Sequence, residues 1–380
     1  MYKLLRTGLL TIISIFVFDK KKLFFNNYLL HKFNPDTLTK VKHLLTSPAE
    51  IVVTSHYNPD GDALGSSLAL SRYLTKKGHS VTTIIPNDFP GFLQWMPGQK
   101  DIVVYFHKSK TADELLKNAK IIFSLDYNAI SRVNLFADQL AKAKGVKILI
   151  DHHLEPEKEF DFSFSVIKTS STSELVFDFI EALDDAHLID AEIAINLYVG
   201  IMTDTGSFSF ACNYPRTYEV VARLVEAGVD TEQVHRLVYD TYSESRMRLL
   251  GFCLSERMKV LPEHSTAYIW LTQEDLDKFD FNPGDTEGVV NYALSIKGIS
   301  FAALFTEKED RIRISFRSKG NFSVNNFARN HYQGGGHRNA SGGDSFDKMP
   351  VTLSKFEALL PRYQEGLLSA AQQSSRLNPL

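Results

Sequence analysis

Between residues 51 and 150 two hydrophobic patterns alternate along the chain. IVVTS (51–55), SVTTII (80–85), KIIFSL (120–125) and VKILI (146–150) are short, continuous runs rich in apolar and β-branched residues. Runs of this length, separated by helical patterns, mark strands covered on both faces. From Ala63 onward the apolar positions Leu64, Leu68, Leu70 and Leu74 alternate with small residues, as on a helix packed against a sheet. Strand and helix in alternation predict an open parallel α/β sheet. Upstream, Asp36 is a candidate N-cap for a helix carrying Leu38, Val41, Leu44 and Leu45. Downstream, EIAINLYVGIMTDTGSF (192–208) predicts an apolar helix with Asp204 at its end.

Past Ser243 the pattern changes. Ser243 to Lys259 is charged and helix-favouring, which predicts a connecting helix. The pattern then restarts with a strand in TAYIWLT (266–272), a helix over GVVNYALSI (288–296), strands FAALFTE (301–307) and RIRISFRS (311–318), and the run GGGHRNASGG (334–343). The expected organisation is an N-terminal extension over 1–35, a first domain over 36–242, a linker helix over 243–259 and a second, smaller α/β domain over 260–380. Within the extension, Gly8 to Phe18 is apolar behind Lys3 and Arg6, the layout of the first two regions of a signal peptide, and is too short to span a bilayer. No small-x-small cleavage site follows it. A mis-called start, a weak membrane anchor and a disordered arm stay open.

With 380 residues, 44% of them hydrophobic, the chain has the profile of a soluble globular protein of two domains. Its net charge of -3 hides an asymmetry: Lys297 to Arg338 holds eight Lys/Arg against three Asp/Glu, a segment suited to an anion. Cys212 and Cys253 stand alone, which excludes a zinc ribbon and a disulfide scaffold and favours a reducing compartment. The expected location is the cytoplasm, without a stable membrane partner.

The stretch TSHYNPDGDALGSS (54–67) places His56, Asp60 and Asp62 around one glycine. Two acids this close repel unless something positive lies between them. IVVTS runs into His56, KIIFSL into Asp126, and VKILI into Asp151, His152 and His153. In a parallel sheet those C-terminal strand ends share one edge, where ligands bind. Asp204 is inferred to reach the same edge. Taken singly, NPDGD reads as a turn, Asp126 or Asp204 as a helix cap, the 151–153 triplet as a solvated strand end and the glycine run as a flexible loop. Their conjunction favours a metal site. Four carboxylates and two imidazoles without thiolate suit Mn, Mg or Fe. Two divalent cations neutralise four negative charges, and a pair of metals about 3.5–4 Å apart is a device for hydrolysing phosphoesters. Phe316, Phe322, Phe327 and Tyr332 are read as core before base-stacking surface, and His43, His79, His107, His187, His235, His264 and His331 as structural or surface residues.

HYNPDGDALGSS, the Asp of SLDYN, the DHH triplet at 151–153 and the Asp of MTDTGSF occur in the order seen in the DHH phosphoesterase family. GGGHRNASGG resembles the signature of the DHH-associated C-terminal domain, so the likeness covers roughly residues 36 to 360. The two-domain layout is similar to the nanoRNase type, oligoribonucleases that also dephosphorylate pAp (3'-phosphoadenosine 5'-phosphate). The resemblance implies an N-terminal parallel-sheet DHH domain, a smaller C-terminal α/β DHH-associated domain and an active site in the interdomain cleft. It implies two divalent cations, expected to be Mn2+: His56, Asp60 and Asp126 hold one, and Asp62, Asp126, His152 and Asp204 the other. His153 then faces the substrate phosphate and Asp151 orients the imidazoles. Gly334, Gly335 and Gly336, with backbone N–H groups open to an anion, His337, Arg317 and Arg132 are expected to meet substrate phosphates. Implied partners are short single-stranded RNA, dinucleotides and pAp, with a homodimer also expected. A cyclic di-AMP phosphodiesterase shares every motif and is the alternative substrate reading. A non-catalytic nucleotide-binding protein is disfavoured because no ligand position is replaced. A manganese pyrophosphatase has a different second domain.

Overall fold

A computed structural model describes residues 32–375, so the expectations for residues 8–18 lie outside the described residues. The chain divides into two compact units after Val238. Among the described residues no helix is long and apolar enough to cross a membrane.

The first unit is built on six strands, β1 (Glu50–Thr54), β2 (Ser80–Ile85), β3 (Val103–Val104), β4 (Ile121–Leu125), β5 (Val146–Asp151) and β6 (Phe162–Ser165). They form one sheet in the order β3-β2-β1-β4-β5-β6. Every pairing is parallel. All five residues of β4 are buried, which is why the strand reads as one apolar run. Strands β3 and β6 were not expected. The first is two residues long, and in β6 Phe and Ser alternate at the sheet edge, where Phe164 alone is buried. The chain winds outward from β1 through β2 to β3 and then returns to lay β4 on the other side of β1. The winding direction therefore reverses between β1 and β4, the position at which such sheets open a crevice for ligands.

Helix Pro35–Leu44 is capped by Asn34, whose side chain accepts from the Thr37 amide at 3.0 Å. The expected cap, Asp36, instead lies in the first turn, because Pro35 fits the first helical position, where its missing N–H costs nothing. Helix Gly61–Lys76 follows β1, and helix Ala191–Asp204, capped by Asp190, packs against it. Their backbones approach closely. A Cβ on Gly65 would lie 2.4 Å from the Asn196 carbonyl oxygen, and one on Gly61 2.3 Å from Thr203 Oγ1. Only glycine permits this contact, and it carries Asp204 up to the strand ends.

The second unit contains β7 (Met258–Leu261), β8 (Thr266–Leu271), β9 (Phe301–Glu307), β10 (Ile312–Ser318), β11 (Gly335–Gly336) and β12 (Ala340–Ser345), ordered β11-β12-β10-β9-β8-β7. The pairing is antiparallel except between β8 and β9. Strand β9 shows how the period of two divides the cores. Phe301, Ala303 and Phe305 join an aromatic cluster with Phe316, Phe322, Phe327, Tyr332 and Phe356. Ala302 and Leu304 face the other way, toward Leu249 and Cys253 of helix Glu244–Glu256. The four aromatic side chains weighed as base-stacking candidates are thus core.

The glycine run differs from its expected form. Gly335 and Gly336 pair with Gly342 and Ser341 as a short strand. The Gly334 amide donates to the Ala328 carbonyl (3.3 Å), that of Gly336 to Asn325 Oδ1 (3.1 Å) and that of His337 to the Ala340 carbonyl (2.8 Å). The run therefore offers no row of open amides to an anion. Glycine is required here for a different reason: a Cβ on Gly334 would stand 2.0 Å from the Gly342 carbonyl oxygen.

Candidate metal centre

The site is assembled where β1, β4 and β5 end. His56 leaves β1, Asp126 leaves β4 with a left-handed backbone (φ 62°), and His152 and His153 follow β5. Helix Gly61–Lys76 begins beside them. Asp60 caps that helix through Oδ1, which accepts from the amides of Asp62 and Ala63, both at 3.0 Å. Its other oxygen stands 4.0 Å from His56 Nε2. One carboxylate thus serves the turn and the site together, one oxygen to each.

Asp62 is fully buried. Its Oδ2 accepts from the Thr172 amide at 2.7 Å and its Oδ1 from the Ser173 amide at 2.8 Å. These are the first two amides of helix Thr172–Ala182, where backbone donors lack partners within the helix. The Thr172 hydroxyl donates to Asp126 Oδ1 at 2.9 Å. Two residues therefore orient two of the four acids, and both are absent from the expected set. The available signal was local: SSTSE (170–174) places Ser171 three residues before Glu174, a helix-start pattern. Nothing local showed which acids the helix would meet. Gly200 completes the fit, since a Cβ there would meet Ser173 Oγ at 1.9 Å and Asp62 Oδ1 at 2.7 Å.

The imidazoles point inward. His56 turns Nδ1 to the Tyr57 carbonyl oxygen (3.0 Å) and Nε2 to Asp126 Oδ2 (3.4 Å). His152 Nε2 lies 3.4 Å from Asp126 Oδ1, 3.5 Å from Asp204 Oδ2 and 3.9 Å from Asp62 Oδ2. One donor atom each from His56, Asp60 and Asp126 falls within 4.8 Å of the others, and the same is true of Asp62, His152 and Asp204. Most of these separations exceed a good hydrogen bond. They approach the spacing of donors around a shared ion, for ligands about 2.1 Å from a metal stand roughly 3.0–3.4 Å apart. Asp126 faces both groups, one oxygen to His56 and the other to His152.

His153 is held differently. Asp151, fully buried, takes His153 Nδ1 on one oxygen (2.7 Å) and accepts from the His153 amide on the other (3.1 Å). The acid therefore orients His153 rather than His56 or His152. Arg132 is exposed, and its carbonyl accepts from the Tyr57 amide at 2.8 Å, which ties its segment to the loop bearing His56. Arg317 and His337 belong to the second unit, on β10 and just after β11.

Crowding perturbs the titration of the metal-free cluster. Burial lowers the His56 pKa, but the carboxylates of Asp126 and Asp60 outweigh it and bring it up to about 9. His152 follows the same balance and is raised by Asp204, Asp126 and Asp62. Burial, reinforced by Asp126, pushes the Asp62 carboxyl well up and Asp204 to about 6. Asp126 alone is held well below the usual range, because His152 and His56 overcome its burial. The protein thus retains protons where cations would otherwise balance the acids, as a donor set built for metal does.

A doubly wound sheet with an acid–histidine cluster at its switch point, joined to a second α/β unit, defines the class. DHH family, N-terminal domain, matches residues 50–201, and DHHA1 domain matches residues 265–364. The chain belongs to the DHH family. It is 30% identical to the bifunctional oligoribonuclease and PAP phosphatase NrnA of Thermus thermophilus, over 77% of this chain and 83% of that protein. It is 28% identical to a probable bifunctional oligoribonuclease and PAP phosphatase NrnA of Streptococcus mutans, over 78% of this chain and 89% of that protein. The crystal structure of an exopolyphosphatase-related protein from Bacteroides fragilis is 42% identical, with a TM-score of 0.85 over 88% of this chain and 98% of that one.

Proposed function

We propose that this chain is a metal-dependent phosphoesterase that trims short oligoribonucleotides to 5'-mononucleotides and removes the 3'-phosphate of pAp. The observation that supports it most is the pair of donor groups at the strand ends, with Asp126 facing both. The two NrnA relatives, over most of their length, support the substrate class. In this reading His56, Asp60 and Asp126 hold one divalent cation and Asp62, Asp126, His152 and Asp204 a second, with manganese the expected ion. When bound, the pair supplies positive charge to a phosphate and lowers the pKa of water toward neutrality.

The protein's own groups divide the remaining work. Thr172 and Ser173 hold Asp126 and Asp62 in place before any ion arrives. Asp151 accepts the Nδ1 proton of His153 and fixes the ring, and in this reading that imidazole faces the substrate and carries a proton to the departing oxygen. Arg132 offers charge to phosphates from the rim of the first unit. Arg317 and His337 do so in the second unit through their side chains, the neighbouring amides being engaged.

The test is a panel of pApA, pAp and cyclic di-AMP incubated with Mn2+, with products identified by mass. AMP from both pApA and pAp supports the assignment. Hydrolysis of the cyclic dinucleotide in preference to both linear substrates would replace the substrate, and no hydrolysis of any of the three would reject the enzyme.

A further inference from the structure

Helix Thr172–Ala182 turns its N-terminus to the metal centre, and it also carries a second charged cluster that the chemistry above does not use. Glu174 and Asp178, one turn apart on this helix, are both fully buried. Lys32 reaches both: its ammonium stands 3.2 Å from Glu174 Oε1 and donates to Asp178, with 4% of its side chain exposed. On the other side, Arg216 donates to Asp178 Oδ1 through Nε (2.9 Å) and Nη2 (2.8 Å), and to Glu181. Lys32 lies immediately before the buried Phe33, whose ring meets Phe164 of β6 edge-on at 5.2 Å. Residues assigned from sequence to an extension are therefore packed into the first unit.

Glu174 links this cluster to the metal centre. Its Oε2 accepts from the Ser170 amide (3.2 Å), the Ser170 hydroxyl (2.7 Å) and the Thr217 hydroxyl (2.6 Å). Ser170 is followed by Ser171, the helix cap, and then by Thr172 and Ser173, whose amides hold Asp62. Burial would raise the Glu174 carboxyl, but Lys32 and the hydroxyl donors reverse this and keep it below the ordinary glutamate value. A buried carboxylate stripped of its cation must take up a proton or move toward water, and either change loosens its grip on Ser170.

We infer that Lys32 is a positioning residue for the metal centre: by neutralising Glu174 it fixes the 170–173 turn that delivers two amides to Asp62 and a hydroxyl to Asp126. The inference rests on the reading of Asp62 and Asp126 as metal ligands. It assigns a part in the enzyme to a residue some thirty positions from the chain start and far in sequence from every motif.

Full-length wild type, K32M, K32R, K32M/E174Q and F33A are titrated with Mn2+ by calorimetry, and each is melted in parallel. K32M is expected to weaken Mn2+ binding about tenfold or more, the size of effect usual for outer partners of metal ligands. K32R keeps the charge and most of the affinity. K32M/E174Q recovers most of it as well, because the Gln carbonyl still accepts from Ser170 and Thr217 and has no charge to neutralise. F33A loses packing in the same segment and lowers the melting temperature without changing Mn2+ affinity. Should K32M not fold, the charge-balanced double variant carries the test. Unchanged affinity in K32M, equal weakening in F33A, or a double variant that binds Mn2+ about tenfold or more weakly than wild type overturns the inference. If wild type itself takes up no Mn2+, the metal-site reading has failed first, a result distinct from normal uptake by both wild type and K32M.

Discussion

Thr172→Val removes one hydroxyl and little else. Thr172 is fully buried, so water does not replace the lost donor, and the residue 172 amide stays in place to bind Asp62. What is lost is the 2.9 Å hydrogen bond to Asp126 Oδ1, the carboxylate that faces both donor groups. A hydrogen bond to a charged group contributes about 1.5–3 kcal/mol. At about 1.4 kcal/mol per factor of ten, this corresponds to roughly 10- to 100-fold in Mn2+ affinity, the range typical of outer partners at metal sites. Calorimetric titration with Mn2+, paired with hydrolysis of pApA at rising Mn2+, reads the effect. The dissociation constant should rise by that factor. Excess metal should restore most of the rate, since no reacting group has been removed. Thr172→Ser should stay near wild type in both measurements. Wild-type Mn2+ affinity in Thr172→Val, or a loss as large in Thr172→Ser, would refute the claim that this hydroxyl positions Asp126.

Three further outcomes are expected. His153→Ala should lower kcat on pApA by about 10²–10⁴, the usual worth of a proton-transferring side chain, while leaving Mn2+ affinity near wild type; a matching loss of metal would make His153 a ligand instead. Gly200→Ala drives a methyl group into Ser173 and Asp62, so it should cost about 1–3 kcal/mol by thermal melting and weaken Mn2+ binding at the same time. Asp190 supplies a pH test: burial acts to raise its pKa, but Arg72, the Ile193 amide and Lys76 prevail and hold it at about 2. A group depressed in the folded state stabilises above its unfolded value, so Asp190→Asn should lose about 1–2 kcal/mol near pH 7, after allowance for solvent screening. That difference should begin to shrink below about pH 4 and disappear as pH falls through about 2, as followed by calorimetric melting. A gap between the two proteins that stays constant down to pH 3 would contradict the assignment.

Much of the centre is legible in the sequence. Strands β1, β4 and β5 announce themselves as apolar runs because a parallel sheet buries both faces, and each run stops at an ionisable residue because the crevice begins there. These are properties of neighbours in the chain, and neighbours are what a sequence records. Edge strand β6 was hidden because a strand covered on one side needs no continuous apolar run.

The tertiary structure alone decided the rest. Asp62 meets the Thr172 and Ser173 amides across 110 and 111 residues, and Lys32 meets Glu174 across 142. Gly61, Gly65 and Gly200 look like ordinary helix glycines until two helices are seen to touch through them. The run at 334–337, which suggested open amides, pairs instead as a short strand, and Asn325 and two carbonyls take the amide protons of Gly334, Gly336 and His337. Each of these turns on where distant backbone donors and acceptors come to rest. A hydrogen bond needs an approach near 3 Å, set by sheet register and helix packing, and neither is written in the identity of the two residues that make it.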